Sequence, residues 1–131
     1  MRVLFVCTGN TCRSPMAMAV AKKMHPDWDV KSAGLFAAEG QGPAIHAHLA
    51  LSDEGILLDH SATQLTLALL AWADRVYTMD AYQKEKVLQM DPAAAVQTLC
   101  ENAVSDPFGG SLDEYKKTLQ QITACIRRIQ V

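Results

Sequence analysis

The segment VLFVCTGNTCRSPMA, residues 3–17, passes from an apolar run through a polar turn into a second apolar run. Arg2–Cys7 is rich in Val, Leu and Phe without polar alternation, the pattern of a strand buried on both faces. Ser14 reads as a helix N-cap and Pro15 as the first helical residue, so the spacing predicts a helix through PMAMAVAKKM to about Met24. Cys7 falls where the strand ends, and Arg13 falls just before the helix. In an open parallel sheet, ligands bind at the carboxyl ends of the strands. The thiol and the guanidinium therefore flank a turn placed where a ligand is expected.

The residue types in that turn suit an anion. Gly9 and Asn10 tolerate unusual backbone angles. A loop of Thr8, Gly9, Asn10, Thr11, Cys12 and Arg13 can turn several N–H groups inward, and the helix after Ser14 adds its free N–H groups and the positive end of its dipole. Arg13 can fork onto two oxygens of a phosphoryl group. The same field is expected to lower the Cys7 thiol from its usual value of about 8.5, with a hydrogen bond from Ser14 assisting. A lone cysteine is more often core packing. Cys-x5-Arg-Ser set between strand and helix makes Cys7 a candidate nucleophile instead.

Outward from this loop, strands and helices alternate. HPDW (25–28) breaks the first helix, Asp29–Ala33 suits a second strand, and Gly34 opens a loop. Pro43 opens a helix that ends near Gly55. ILLDHSATQL (56–65) reads as a short extended segment and turn, and TLALLAWA (66–73) as a helix. RVYTM (75–79) reads as a strand, DAYQKEKVLQM (80–90) as a helix with Asp80 near its N-cap, and AVQTL (95–99) as a fourth strand. Ser111 caps a last amphipathic helix reaching about Ile129. The order predicts a single α/β domain over residues 1–131, three-layered, with a parallel sheet.

Half of the 131 residues are hydrophobic, enough for a core, and the net charge is −2 with a pI near 6.0. Nothing in that balance favours nucleic acid or an anionic membrane. Lys22-Lys23 and Arg127-Arg128 read as solvated helix faces. No signal peptide and no apolar run of about 20 residues is visible, so a cytoplasmic protein is expected. Cys7, Cys12, Cys100 and Cys125 are accordingly expected as thiols, the last two in the core. Their spacing suits no zinc site, and neither a metal nor a cofactor is expected.

VCTGNTCRSPMA (6–17) resembles the phosphate loop of the low-molecular-weight protein tyrosine phosphatases. The resemblance continues in order through KSAG (31–34), DEGI (53–56), DHSATQLT (59–66), ADRVYTMD (73–80) and SDPFGG (105–110), across almost the whole chain. It implies a four-stranded parallel sheet with helices on both faces and metal-free phosphate hydrolysis on phosphorylated proteins, by a chain expected to be monomeric. Carried over by position, Cys7 attacks phosphorus and becomes a cysteinyl-phosphate, Arg13 holds the equatorial oxygens, Ser14 tunes the thiolate and Asn10 braces the loop. Asp106 matches the general acid that protonates the leaving group and then activates water.

Two positions depart from the tyrosine-specific pattern. Thr11 stands where an aliphatic residue is typical, and Phe108 is followed by Gly109 rather than a second aromatic. A hydroxyl on the wall and one aromatic side suit a planar cationic group such as phosphoarginine. CTGNTCRS with DPFGGS is similar to the bacterial protein arginine phosphatases of this superfamily. Phosphotyrosine is the alternative substrate. Arsenate reduction, in a related type of the same fold, is disfavoured because Cys100 and Cys125 stand 25 positions apart. A non-catalytic phosphoprotein-binding module would need neither Cys7 nor Asp106. Cys12 reads either as a redox partner that shields Cys7 or as packing behind the loop. His60 is expected to hydrogen-bond beneath the site loops, residues 35–43 including Phe36 to border the mouth, and Leu67–Leu70, Trp72, Tyr77 and Tyr82 to pack.

Overall fold

The computed structural model describes residues 1–130. Four strands form one all-parallel sheet in the order β2-β1-β3-β4: β1 Arg2–Cys7, β2 Asp29–Gly34, β3 Arg75–Thr78 and β4 Val96–Thr98. Five helices connect and follow them: α1 Arg13–Met24, α2 Ile45–Asp53, α3 Leu67–Trp72, α4 Ala81–Met90 and α5 Leu112–Arg127.

The alternation along β1 divides the core. Val3, Phe5 and Cys7 face a cluster built with Met16, Val20, Leu51, Leu119, Ile122 and Ile126 of α1, α2 and α5. Leu4 and Val6 face the other way, onto Leu65, Leu70 and Val87. Side chains of successive strand residues point to opposite faces, so an unbroken apolar run requires cover on both. That is the three-layer α/β arrangement expected from the sequence.

Connections from β1 run first to β2 on one side and then across to β3 on the other. The chain reverses direction beside β1, and the crevice at the carboxyl ends of β1 and β3 is the topological switch point where such sheets bind ligands. Cys7 and Met79 emerge there. Among the described residues, no helix is long and apolar enough to cross a membrane.

Four expectations need correction. Helix α1 begins at Arg13 with Cys12, not Ser14, in the cap position; Ser14 has no freedom to cap because its hydroxyl is bound to Cys7 and Asn10. Leu67 and Tyr82 are exposed rather than packed, because each sits in the first turn of a helix whose buried stripe starts one residue or more later. Cys100 and Cys125 are not separate thiols: they form a disulfide, with Cα atoms 5.5 Å apart. Cys100 follows the edge strand β4, and Cys125 stands in the last turn of α5, so 25 residues of chain bring the two sulfurs together. Expected compartment, not geometry, had argued for thiols.

Candidate active site

Gly34 pairs with Cys7 across β2 and β1, and the loop of residues 8–12 lies directly over it. A Cβ at position 34 would stand 2.7 Å from the Thr8 carbonyl oxygen and 3.0 Å from Asn10. Only glycine permits that approach.

Neighbouring segments draw the loop's carbonyl oxygens outward. Cys7 O accepts from Leu35 N–H at 3.0 Å, Thr8 O from Phe36 N–H at 2.9 Å, and Thr11 O from Ala44 N–H at 3.0 Å. Asn10 O accepts from His60 Nε2 at 2.7 Å, the structural contact expected of that histidine. Across a trans peptide the carbonyl and the following N–H point in opposite directions. The N–H groups of Thr8, Gly9, Thr11 and Cys12 are thereby turned to the inner side, the concave cradle of amides that an oxyanion requires.

Asn10 braces this curve in the left-handed region, at φ 58°. Its Oδ1 accepts from Thr63 N–H at 2.9 Å, which fixes the amide's orientation, so Nδ2 donates to Ser14 Oγ at 2.7 Å and to Ser32 Oγ at 3.0 Å. With its oxygen so engaged, Ser14 turns its proton to Cys7 Sγ, 2.9 Å away. The sulfur also accepts from Asn10 N–H at 3.3 Å.

These donors do not win. Burial pushes the Cys7 thiol up, outweighing the hydrogen bonds from Ser14 and Asn10 and the charge of Arg13. The sequence led us to expect a lowered thiol. The strand that delivers Cys7 to the site also buries it at 3% exposure, a desolvation that residue types alone do not reveal.

Arg13, buried at the start of α1, donates from Nη1 to Val104 O at 3.2 Å. Its guanidinium lies 3.8 Å from both Asp80 and Asp106. Asp106 sits on the loop before α5, more than half exposed, with Oδ1 accepting from Phe108 N–H at 3.1 Å. Cys7, Thr8, Gly9, Thr11, Cys12, Arg13, Asp106 and Phe108 line one cavity of about 270 Å³. Asn10 and Ser14 stand behind its wall, fully buried. A larger groove of about 520 Å³, between α1, α5 and Ile56, is lined by no cysteine.

Thr11 Oγ1 lies 3.7 Å from Cys12 Sγ. Cys12 is a free, buried thiol whose sulfur meets Tyr115 Oη at 3.6 Å. The Tyr115 phenol is pushed up, first by burial and then by Cys12. Cys125 lies about 15 Å along α5 from Tyr115, so the disulfide is remote from this contact.

Sequence reasoning left Asp80 as a simple helix cap and assigned Gln83 nothing. Asp80 Oδ1 does cap α4, accepting from Gln83 N–H at 2.8 Å, but Oδ2 faces Arg13. Gln83 is fully buried and reaches Thr8 Oγ1 at 3.2 Å. The spacing Asp80-x-x-Gln83 is that of a capping box, a signal that would have drawn attention to both.

A family model described as low molecular weight phosphotyrosine protein phosphatase matches residues 2–130. The protein-arginine-phosphatase of Geobacillus stearothermophilus is 38% identical, over 98% of this chain and 93% of its own. The low molecular weight protein-tyrosine-phosphatase PtpB of Staphylococcus haemolyticus is 34% identical, over 99% and 98%. Among solved structures, a YwlE arginine phosphatase mutant with a phosphorylated active-site serine superimposes with a TM-score of 0.93 at 37% identity, covering 97% of this chain and 91% of that one.

Proposed function

Because the chain belongs to the low molecular weight phosphotyrosine protein phosphatase family, we propose that it hydrolyses phosphoarginine in proteins, using Cys7, Arg13 and Asp106. The observation that carries this reading is Thr11. It contributes a hydroxyl-bearing side chain to the lining of the Cys7 cavity, whose one aromatic is Phe108. Thr11 is half-buried, and a polar group that substrate covers discriminates strongly against a partner that leaves it unpaired. The arginine phosphatase among the relatives supports the same substrate, and the tyrosine phosphatase supports phosphotyrosine as the alternative.

In this mechanism Cys7, in its thiolate form, attacks phosphorus through Sγ, the P–N bond breaks, and Asp106 gives its proton to the departing guanidine nitrogen. The loop amides and Arg13 hold the three equatorial oxygens, over which the transition state spreads its charge. Water then attacks the phosphocysteine, Asp106 takes its proton, the S–P bond breaks, and inorganic phosphate leaves with Cys7 restored as thiolate. The relative trapped with a phosphorylated serine supports a covalent step. Cys12 is the proposed redox partner of Cys7, since both thiols are free and line one cavity. Peroxide inactivation that dithiothreitol reverses in the wild type but not in Cys12→Ser tests that role.

Parallel assays on phosphoarginine and phosphotyrosine peptides, with wild type and Thr11→Ile, test the substrate. The wild type is expected to prefer phosphoarginine, and Thr11→Ile to lose that activity while phosphotyrosine turnover holds or rises. Parallel change in both activities removes Thr11 as the selector.

A further inference from the structure

Gln83 is one of the few polar side chains in this protein with no exposure to solvent, and it lies 75 positions from its partner in the phosphate loop. A buried amide of that kind must have its polar atoms matched, or the fold is weakened by an orphaned donor or acceptor. Gln83 is matched in one orientation. Met79 N–H points at Oε1 from 2.8 Å, and an N–H requires an acceptor there. The amide nitrogen is therefore the atom that faces Thr8 Oγ1 at 3.2 Å. Nε2 has only protons to offer, so the Thr8 oxygen accepts.

The consequence falls on the Thr8 proton. With its oxygen engaged by Gln83, the Thr8 hydroxyl must send its O–H elsewhere. Thr8 is exposed and lines the cavity that holds Cys7 and Arg13. We propose that Gln83 is a positioning residue: its buried amide turns the Thr8 hydroxyl into a donor directed at an oxygen of the phosphoryl group. The proposal rests on the reading of this cavity as a phosphoryl site, and extends it to a side-chain donor beyond the amides and Arg13.

Gln83 departs here from the ordinary capping box, in which the third helical residue returns to the backbone N–H of the cap itself. It reaches one residue further back, to Met79, and spends its other end on Thr8. Its own N–H meets Asp80, whose second oxygen faces Arg13. The start of α4 thus fixes both ends of the phosphate loop.

A double-mutant cycle tests this, because a purely structural glutamine would not be coupled to Thr8. Turnover of p-nitrophenyl phosphate is measured for wild type, Thr8→Val, Thr8→Ser, Gln83→Met and Gln83→Met with Thr8→Val. Orthophosphate affinity is measured by calorimetry in the same five, so that binding is read without chemistry. Thr8→Val is expected to weaken both about 10-fold, as for a hydrogen bond to a charged group, and Thr8→Ser to restore most of the loss. Gln83→Met is expected to lose about 5-fold alone and nothing further once Thr8 is Val. Gln83→Glu serves if Gln83→Met melts early: it keeps the acceptor for Met79 N–H and consumes the Thr8 proton, giving the same loss. Equal losses from the Gln83 change in both backgrounds, no loss from Thr8→Val, or no orthophosphate binding by wild type overturns the proposal. A wild type that binds orthophosphate according to this cycle but turns over no phosphate ester overturns the phosphatase reading and leaves Gln83 in its role.

Discussion

The two halves of the candidate site are built on opposite principles. The phosphate loop, residues 8–12, is held on every side: β2 beneath it, the 60–64 segment beside it, α2 and α4 at its flanks, and each carbonyl named above taken by a specific partner. The acid loop before α5 is sparsely held. Ser105 leans on Thr118 and Gln121, Gly110 turns back to Pro107 and meets His46, and Asp106 and Phe108 line the cavity while staying largely exposed. A phosphoryl group is the same in every substrate and rewards a fixed cradle. The leaving side chain arrives on a protein of variable shape, and a loop with few contacts can follow it. Rigidity serves the constant part of the substrate, and freedom serves the variable part.

If that division holds, damage to the fixed half should be the more severe and should not depend on the substrate. Arg13→Lys replaces a planar fork with a point charge among three carbonyl or carboxylate neighbours. It is expected to lower kcat about 1000-fold on every substrate, as does the loss of a principal transition-state contact. A loss that varies with the leaving group would contradict the assignment of Arg13 to the phosphoryl oxygens.

Asp106→Asn comes next and should behave in the opposite way. It is expected to cost about 100-fold on substrates whose leaving group needs a proton, and little on p-nitrophenyl phosphate, whose leaving group departs as a stable anion. Steady-state rates over a series of aryl phosphates give the dependence on leaving-group pKa. An unchanged slope in Asp106→Asn would remove Asp106 as the acid.

The same contrast governs what could be read from the sequence. The phosphate loop was legible because its chemistry is local: Cys7, Asn10, Arg13 and Ser14 lie within one strand–loop–helix unit, and apolar periodicity placed that unit at the sheet's carboxyl edge. The sheet was legible for the same reason, since Val3–Val6 admit no exposed face. Gln83 and Asp80 were not, because their roles arise where β3 and α4 come to lie beside β1, a consequence of strand order. The disulfide required knowing that the last turn of α5 meets the residue two positions after β4. The raised thiol was missed because residue types announce donors but not the water they displace. Leu67 and Tyr82 illustrate the remaining error: an apolar residue in the first turn of a helix can precede the buried stripe.

A smaller effect is expected at Ser14, and it measures the balance around the sulfur. Since burial raises the Cys7 thiol, the reactive thiolate is the minor form at neutral pH and grows as pH rises. Iodoacetamide alkylation of Cys7 should accelerate about tenfold per pH unit across pH 6 to 8. Ser14→Ala removes the lowering contact and should slow alkylation about 10-fold at pH 7, on the scale of a hydrogen bond to a charged group. A wild-type rate that is flat above pH 6 would mean that the amides and Arg13 outweigh burial after all.

The disulfide gives the finest division between the two halves. Cys100 stands at the root of the acid loop, and Cys125 lies on the helix that follows it. Closing that loop of 25 residues restricts the unfolded chain, by roughly 3 to 4 kcal/mol in the chain-entropy account. The double variant Cys100→Ser, Cys125→Ser should therefore show a lower urea midpoint with an almost unchanged slope. Orthophosphate affinity should stay within twofold of wild type, because only three partners of residues 8–13 lie between the two cysteines: Tyr115, held by the core side of α5, Val104, held by Met79, and the exposed Asp106. If affinity fell together with stability, the phosphate loop and the acid loop would be one mechanical unit, and their contrast would describe exposure alone rather than a division of labour.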